Sequence, residues 1–203
     1  MPSGSKRPVA RPALPPAAVG IPRSGSASSP LPSAAVNPLI RLIPAPLVRI
    51  FARPYVAGDS LDSGMEVAKR IHGRAKLLTT LDLLAEGDLT EAHAAENEAA
   101  YRDMIAAVAG AKADFYPGDL PTVSLKPSSY TAAPLESGGD AAGSREAIVR
   151  LVEQAAEAGV QVSIDMESRH WTDFTLDVIR ELHAAGHDHV GAVLQTRLTR
   201  TSG

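Results

Sequence analysis

Val162-Ser163-Ile164-Asp165-Met166-Glu167 is an apolar, β-like run that ends abruptly in two carboxylates. In parallel α/β proteins the buried strands finish at a carboxyl edge, and ligands bind in the crevice there. Three more polar residues close comparable runs: Asp82 after Leu77 to Leu81, Lys126 after Val123-Ser124-Leu125, and Gln195 after Val190 to Leu194. Each has an ordinary reading by itself, Lys126 as a solvated strand-end cation, Asp82 as a cap and Gln195 as a loop hydrogen-bonder. Set in register on consecutive strands, they would converge on one face of a barrel as a candidate site.

The segments between these residues read as the helices that position them. Ser63-Gly64-Met65-Glu66 has capping-box spacing, with Ser63 as N-cap, and opens a helix carrying Val67, Ala68 and Ile71 as far as Gly73. Leu77 to Leu84 reads as a buried strand. Thr90 caps a long helix with Tyr101, Met104, Ile105 and Val108 on one face, ending near Gly110. After the strand Val123 to Lys126 and a flexible loop over Leu135 to Gly143, Ser144 caps a helix with Ile148, Leu151, Val152 and Ala155 inward, stopped by Gly159. The strand Val160 to Met166 follows, then a helix from Thr172 with Leu176, Ile179 and Leu182 inward and Gly186 as its stop, then the strand Val190 to Gln195.

Four β/α steps in succession predict a parallel sheet with right-handed crossovers. A complete (β/α)8 TIM-type barrel takes roughly 250 residues, so the expected fold is α/β of this barrel type, stopping after about four β/α units. An open four-stranded sheet is the competing architecture, and it leaves apolar edge strands unpaired.

The remainder of the chain is defined mostly by what it excludes. Residues 1–36 are rich in Pro, Ser and Ala and read as a disordered tail, and 37–76 as a wrap and helix ahead of the half-barrel over 77–203. From Met1 to Gly58 there is no Asp or Glu, whereas Lys6, Arg7, Arg11, Arg23, Arg41, Arg49 and Arg53 give +7, so a net charge of -3 leaves -10 for the rest. A scattered basic arm with prolines throughout reads as a solvated tail, and nothing beside it resembles a nucleic-acid motif. The absence of cysteine excludes disulfides, thiolate metal sites and thiol catalysis. No Walker A or G-x-G-x-x-G run is present, which argues against a P-loop or a Rossmann site. His183, His187 and His189 invite a metal reading, but Gly186 interrupts them and no carboxylate is spaced to complete a site.

Thr80-Leu81-Asp82-Leu83-Leu84-Ala85-Glu86, Val123-Ser124-Leu125-Lys126, Val162 to Glu167 and Val190 to Gln195 follow one another in the order and spacing of the first four strands of the proline dehydrogenases, which the chain resembles over about Asn37 to Thr201. The resemblance implies a distorted (β/α)8 barrel that binds FAD without a Rossmann fold. It implies that Lys126 pairs with the substrate carboxylate, that Asp165 is the active-site aspartate beside substrate and flavin, and that the backbone of Met166 lies against the flavin ring. It further implies that Gln195 hydrogen-bonds that ring and that Glu86 pairs with a distal substrate arginine to close the site. The implied reaction oxidises L-proline to 1-pyrroline-5-carboxylate by hydride transfer to FAD, with quinone at the membrane as electron acceptor. The protein would then be cytoplasmic or peripheral to the inner membrane face, and a homo-oligomer is a further expectation.

Departures from the family pattern bear on activity. Ala85 stands where glycine is usual and Arg197 where tyrosine is usual, and the fifth strand and paired-arginine helix of the family do not follow Gly203. The expectation is that this polypeptide alone is not a competent enzyme. Two other classes fit the residues: a non-catalytic half-barrel that self-associates through its edges, and a barrel enzyme that uses Lys126 as a Schiff-base nucleophile.

Overall fold

Each strand of the sheet lies beside its neighbour in sequence. β1 (Thr80–Leu81), β2 (Thr122–Leu125), β3 (Val162–Ile164) and β4 (Val190–Ala192) pair in parallel in the order β1-β2-β3-β4. Helices α2 (Glu91–Gly110), α3 (Ser144–Ala158) and α4 (Thr172–Ala184) occupy the crossovers, and α1 (Leu61–Ala75) precedes β1. The order never reverses, so the sheet lacks the switch point of a doubly wound fold and follows the course of a (β/α)8 barrel through four units. The computed structural model describes residues 57–58, 60–83 and 90–195, all within the unit formed by residues 45–203. The expected tail over 1–36, most of the wrap, and Ala85, Glu86 and Arg197 lie outside the described residues.

The alternation in the strands explains where the core sits. Val123, Val162 and Val190 form one cross-strand row and Leu125, Ile164 and Ala192 another, while Ser124, Ser163 and Gly191 form the row between them. Successive side chains point to opposite faces, so the aliphatic rows share one face, where all but Ala192 join a core with Ile105 and Val108 of α2, Ile148, Leu151 and Val152 of α3, and Val178 and Ile179 of α4. The other face carries the small polar row. Tyr101, Met104, Ile105 and Val108 are buried together on α2, as are Ile148, Leu151, Val152 and Ala155 on α3, in agreement with the sequence. On α4 the buried stripe is Thr175, Val178, Ile179 and Leu182, with Leu176 only half-buried.

Several boundaries differ from the sequence reading. α1 begins one turn earlier, because Ser60 is the N-cap and Ser63 is the residue that answers it, each backbone N–H donating to the other's hydroxyl at 3.3 Å. The helix runs past Gly73 to a left-handed Lys76. Ser144 does not cap α3, since Gly143 occupies that position at φ 81° and the Ser144 hydroxyl is buried, donating to the Pro127 carbonyl at 2.7 Å. Thr90 does cap α2, accepting from His93 N–H at 3.2 Å.

The strands are shorter than the apolar runs that suggested them. Leu77 and Leu78 are 58% and 67% exposed and precede the ladder, which starts with Thr122 N–H donating to the Thr79 carbonyl. β3 stops at Ile164 because the Asp165 carboxylate takes the next amide, that of Met166, at 2.8 Å. The stretch over 135–143 is likewise no loose loop. Gly138 adopts φ 77°, and a Cβ on Gly139 would come within 2.2 Å of the Ala133 carbonyl oxygen, so the two glycines allow a tight turn closed by Ala141 N–H on that same carbonyl.

Candidate active site

The strand register gathers the predicted polar residues at one edge. Leu125 pairs with Ile164, so the next residues, Lys126 and Asp165, are neighbours, and Asp165 N–H donates to the Leu125 carbonyl at 2.9 Å. Leu81 pairs with Val123, which leaves Asp82 two residues short of Lys126 along the sheet. The lysine stem spans that offset, and Lys126 Nζ meets Asp82 Oδ2 at 2.7 Å. With side chains 22% and 37% exposed, the pair keeps contact with solvent, and such pairs contribute at most about 1 kcal/mol. Tyr101 of α2 reaches the other Asp82 oxygen at 3.4 Å, a long contact. Burial, with Asp82 next in weight, pushes the Tyr101 phenol well above its ordinary range.

Asp165, Met166 and Gln195 form a second linked group. Met166 is buried, and its backbone is held at both ends: its N–H donates to Asp165 Oδ1, and its carbonyl accepts from Gln195 Nε2 at 3.3 Å. Val193 N–H donates to the Ile164 carbonyl and carries β4 toward Gln195. The structure thus brings together Asp82 with Lys126 and Asp165 with Met166 and Gln195, on adjacent strand ends. Glu86 falls outside the described residues.

Two further carboxylates tie the loops at this edge: Glu167, which the sequence set beside Asp165 at the end of the same strand, and Glu136, to which it gave no role. Glu167 accepts from Ser128 N–H at 2.8 Å and from Ser128 Oγ at 2.5 Å. Burial pushes its carboxyl above the usual range, against the Ser128 hydrogen bonds and with Glu136 and Asp165 adding to the rise. Glu136 accepts from Ser168 Oγ and from Trp171 Nε1, both at 2.7 Å. Burial opposes its ionisation, yet these bonds together hold its carboxyl below the usual range. Ser128 lies in the Pro127–Tyr130 3-10 turn directly after Lys126, and Trp171 is the sole tryptophan of the chain and is fully buried. The proline that opens that turn was the visible signal for Ser128; for Glu136 there was none, because its partners lie 32 and 35 residues away.

The histidines have structural partners. His183 Nε2 lies 2.8 Å from the Val190 carbonyl and His189 Nε2 3.0 Å from that of Val152, so both act as donors to backbone. Among the described residues no group of three His, Asp or Glu is spaced to hold a metal ion, and no described helix is long and apolar enough to cross a membrane.

The family model for proline dehydrogenase matches residues 66–202. No curated relative matches. Among solved structures, proline utilization A from Bdellovibrio bacteriovorus, inactivated by N-propargylglycine, aligns with a TM-score of 0.61 and 21% identity over 71% of this chain and 17% of its own. A Bradyrhizobium japonicum proline utilization A mutant aligns at 0.56 and 23% identity over 81% of this chain and 18% of its own. The chain therefore spans less than a fifth of the length of either, and identities this low establish a shared fold.

Proposed function

The chain belongs to the proline dehydrogenase family, and from that premise we propose that the strand-end site binds L-proline and FAD and serves oxidation of L-proline to 1-pyrroline-5-carboxylate. The observation that carries this reading is the Asp165 N–H to Leu125 carbonyl bond, which sets a cation and a carboxylate side by side on adjacent strand ends. An amino acid substrate is a zwitterion and needs both, each as a charge-assisted hydrogen bond. Lys126 would receive the substrate carboxylate in exchange for, or together with, Asp82. Asp165, its Oδ1 fixed by Met166 N–H, would face the charged nitrogen.

Met166 and Gln195 are the residues that would hold FAD, which when bound supplies the hydride acceptor. What supports them in that role is their mutual contact: a buried thioether side chain offers apolar surface, and the Gln195 amide is oriented by the Met166 carbonyl. Glu86 as a closing residue, quinone as electron acceptor and self-association belong to the same reading and rest on the resemblance. The Schiff-base alternative for Lys126 is less well supported, because the Asp82 contact uses the lysine as a cation.

Titrating the full chain, supplied with FAD, with L-proline in a calorimeter tests the reading. L-proline is expected to bind, and Lys126→Met to weaken binding by about tenfold or more, the usual cost of a lost charged hydrogen bond. A folded chain that does not bind L-proline, or a Lys126→Met variant of unchanged affinity, overturns it.

A further inference from the structure

We propose that Glu167 is a positioning residue that fixes Lys126 relative to Asp165 by clamping Ser128, an inference that rests on the L-proline reading above only for its ligand. Both Glu167 oxygens are engaged by one residue, Ser128, through its N–H and its hydroxyl. Such two-point contacts define direction as well as distance. Ser128 is the second residue of the turn Pro127–Tyr130, and that turn closes back on Lys126, whose carbonyl accepts from Ser129 N–H at 3.0 Å.

The other anchors of this turn all come from helices. Ser144 Oγ at the start of α3 donates to the Pro127 carbonyl at 2.7 Å, and Asn97 Nδ2 of α2 donates to the Ser129 carbonyl at 3.0 Å. The Glu167 clamp instead ties the turn to the end of β3, the strand that carries Asp165. The ladder bond from Asp165 N–H to the Leu125 carbonyl lies on one side of Lys126 and the clamp on the other. Lys126 is thereby set from both directions against the strand bearing its partner acid. The placement of Glu167 is electrostatically unfavourable, since burial opposes its ionisation, Glu136 and Asp165 add to that, and Tyr101 and Tyr130 feel its charge. The two Ser128 bonds oppose that without reversing it, and their geometric product is the spacing of the two strand ends.

The test uses the full chain and reads Lys126 directly. Trace acetylation followed by mass spectrometry gives the reactivity of the Lys126 amine relative to the exposed Lys112, and the denaturant midpoint of each variant, read alongside, separates loss of the clamp from general unfolding. Glu167→Ala is expected to raise the ratio by about tenfold as the clamp is lost. Ser128→Ala should raise it in the same direction, and the double variant no further than Glu167→Ala alone. Glu167→Gln can still accept from Ser128 N–H and donate to its hydroxyl, so it should keep the parent ratio. An unchanged ratio in Glu167→Ala overturns the proposal, and so does a Glu167→Gln ratio as high as that of Glu167→Ala, which would make charge rather than clamping the operative property. In parallel, the L-proline affinity of Glu167→Ala should fall by about tenfold while that of Glu167→Gln holds. If the parent chain binds no L-proline, the functional reading fails by itself and the labelling ratios still decide the clamp.

Discussion

The inner and outer strands of the sheet do different work. β2 and β3 share three register pairs, and Val123, Leu125, Val162 and Ile164 are almost wholly buried between them. β1 is two residues long with Leu77 and Leu78 exposed ahead of it, and β4 is buried only at Val190, with Leu194 beyond it 55% exposed. The inner strands deliver Lys126 and Asp165 with a backbone bond at their base. The outer strands deliver Asp82 and Gln195, whose links to the inner residues are made by side chains, at 2.7 Å and 3.3 Å. Fixed geometry thus comes from the buried ladder, and the groups around it are held by contacts that a ligand can exchange.

If that contrast is sound, the largest effect belongs to the inner ladder. Ile164 is fully buried, and Ile164→Ala should lower unfolding free energy by about 2–5 kcal/mol, read as a shift of the denaturant midpoint. A cost near zero would mean that the inner ladder is no more rigid than its edges. Next comes the loop stitch beneath it. Glu136→Ala leaves the buried Trp171 Nε1 without its acceptor, at a cost of about 1–3 kcal/mol. Because Trp171 is the only tryptophan, the intrinsic fluorescence of the chain should change with it.

Two acids, one just past β3 and one on α2, should respond to pH with opposite signs. Burial raises the Glu167 carboxyl in the folded chain, so its ionisation costs stability as pH climbs from the ordinary carboxylate value through the raised one. Glu167→Gln removes that cost, and its gain over the parent should be greatest near neutrality and vanish in acid. Glu98 is held low, first by the Arg150 guanidinium, against burial, and then by Arg102. The stability it brings is present above the ordinary value and is lost as pH falls through the lowered one. Glu98→Gln should therefore cost most near neutrality, where its ion pairs, with Arg102 within α2 and with Arg150 across to α3, are intact. Denaturant midpoints of both variants between neutrality and about pH 3 check the signs, and slopes in the same direction would contradict them.

Most of the architecture was legible because periodicity reports burial. The faces of α2 and α3 and the V-S-L and V-S-I strands carry their pattern in adjacent residues, and the strand-end positions of Asp82, Lys126, Asp165 and Gln195 follow from it. Boundaries were less legible where a hydrogen bond between near neighbours decides them. Ser63 has the chemistry of an N-cap, but Ser60 lies one turn earlier and takes the position; Asp165 ends β3 with its own side chain. The apolar pair Leu77-Leu78 misled for another reason: an apolar run states what can be buried, and the ladder starts only where a partner strand exists. The clamps made by Glu136 and Glu167 were not legible at all. Their partners lie more than 30 residues away, and no local pattern encodes such pairing.

The smallest expected effect gives the sharpest test of the outer strands. Leu77 and Leu194 are more than half exposed, so Leu77→Ser and Leu194→Ser remove little apolar area from a covered position. Each should move stability by no more than about 0.5 kcal/mol, as for surface sites without special partners. A loss of about 2 kcal/mol at either position would instead be the signature of a buried leucine, and something would then cover that edge in solution. The dependence of the loss on protein concentration would identify the cover, because burial against a second copy weakens on dilution whereas burial against the same chain does not. A concentration-independent loss would assign the edge to residues of this chain. Either outcome would move the outer strands into the class of the inner ones and leave exposure unable to explain the side-chain contacts that tie Asp82 and Gln195 to the inner strands.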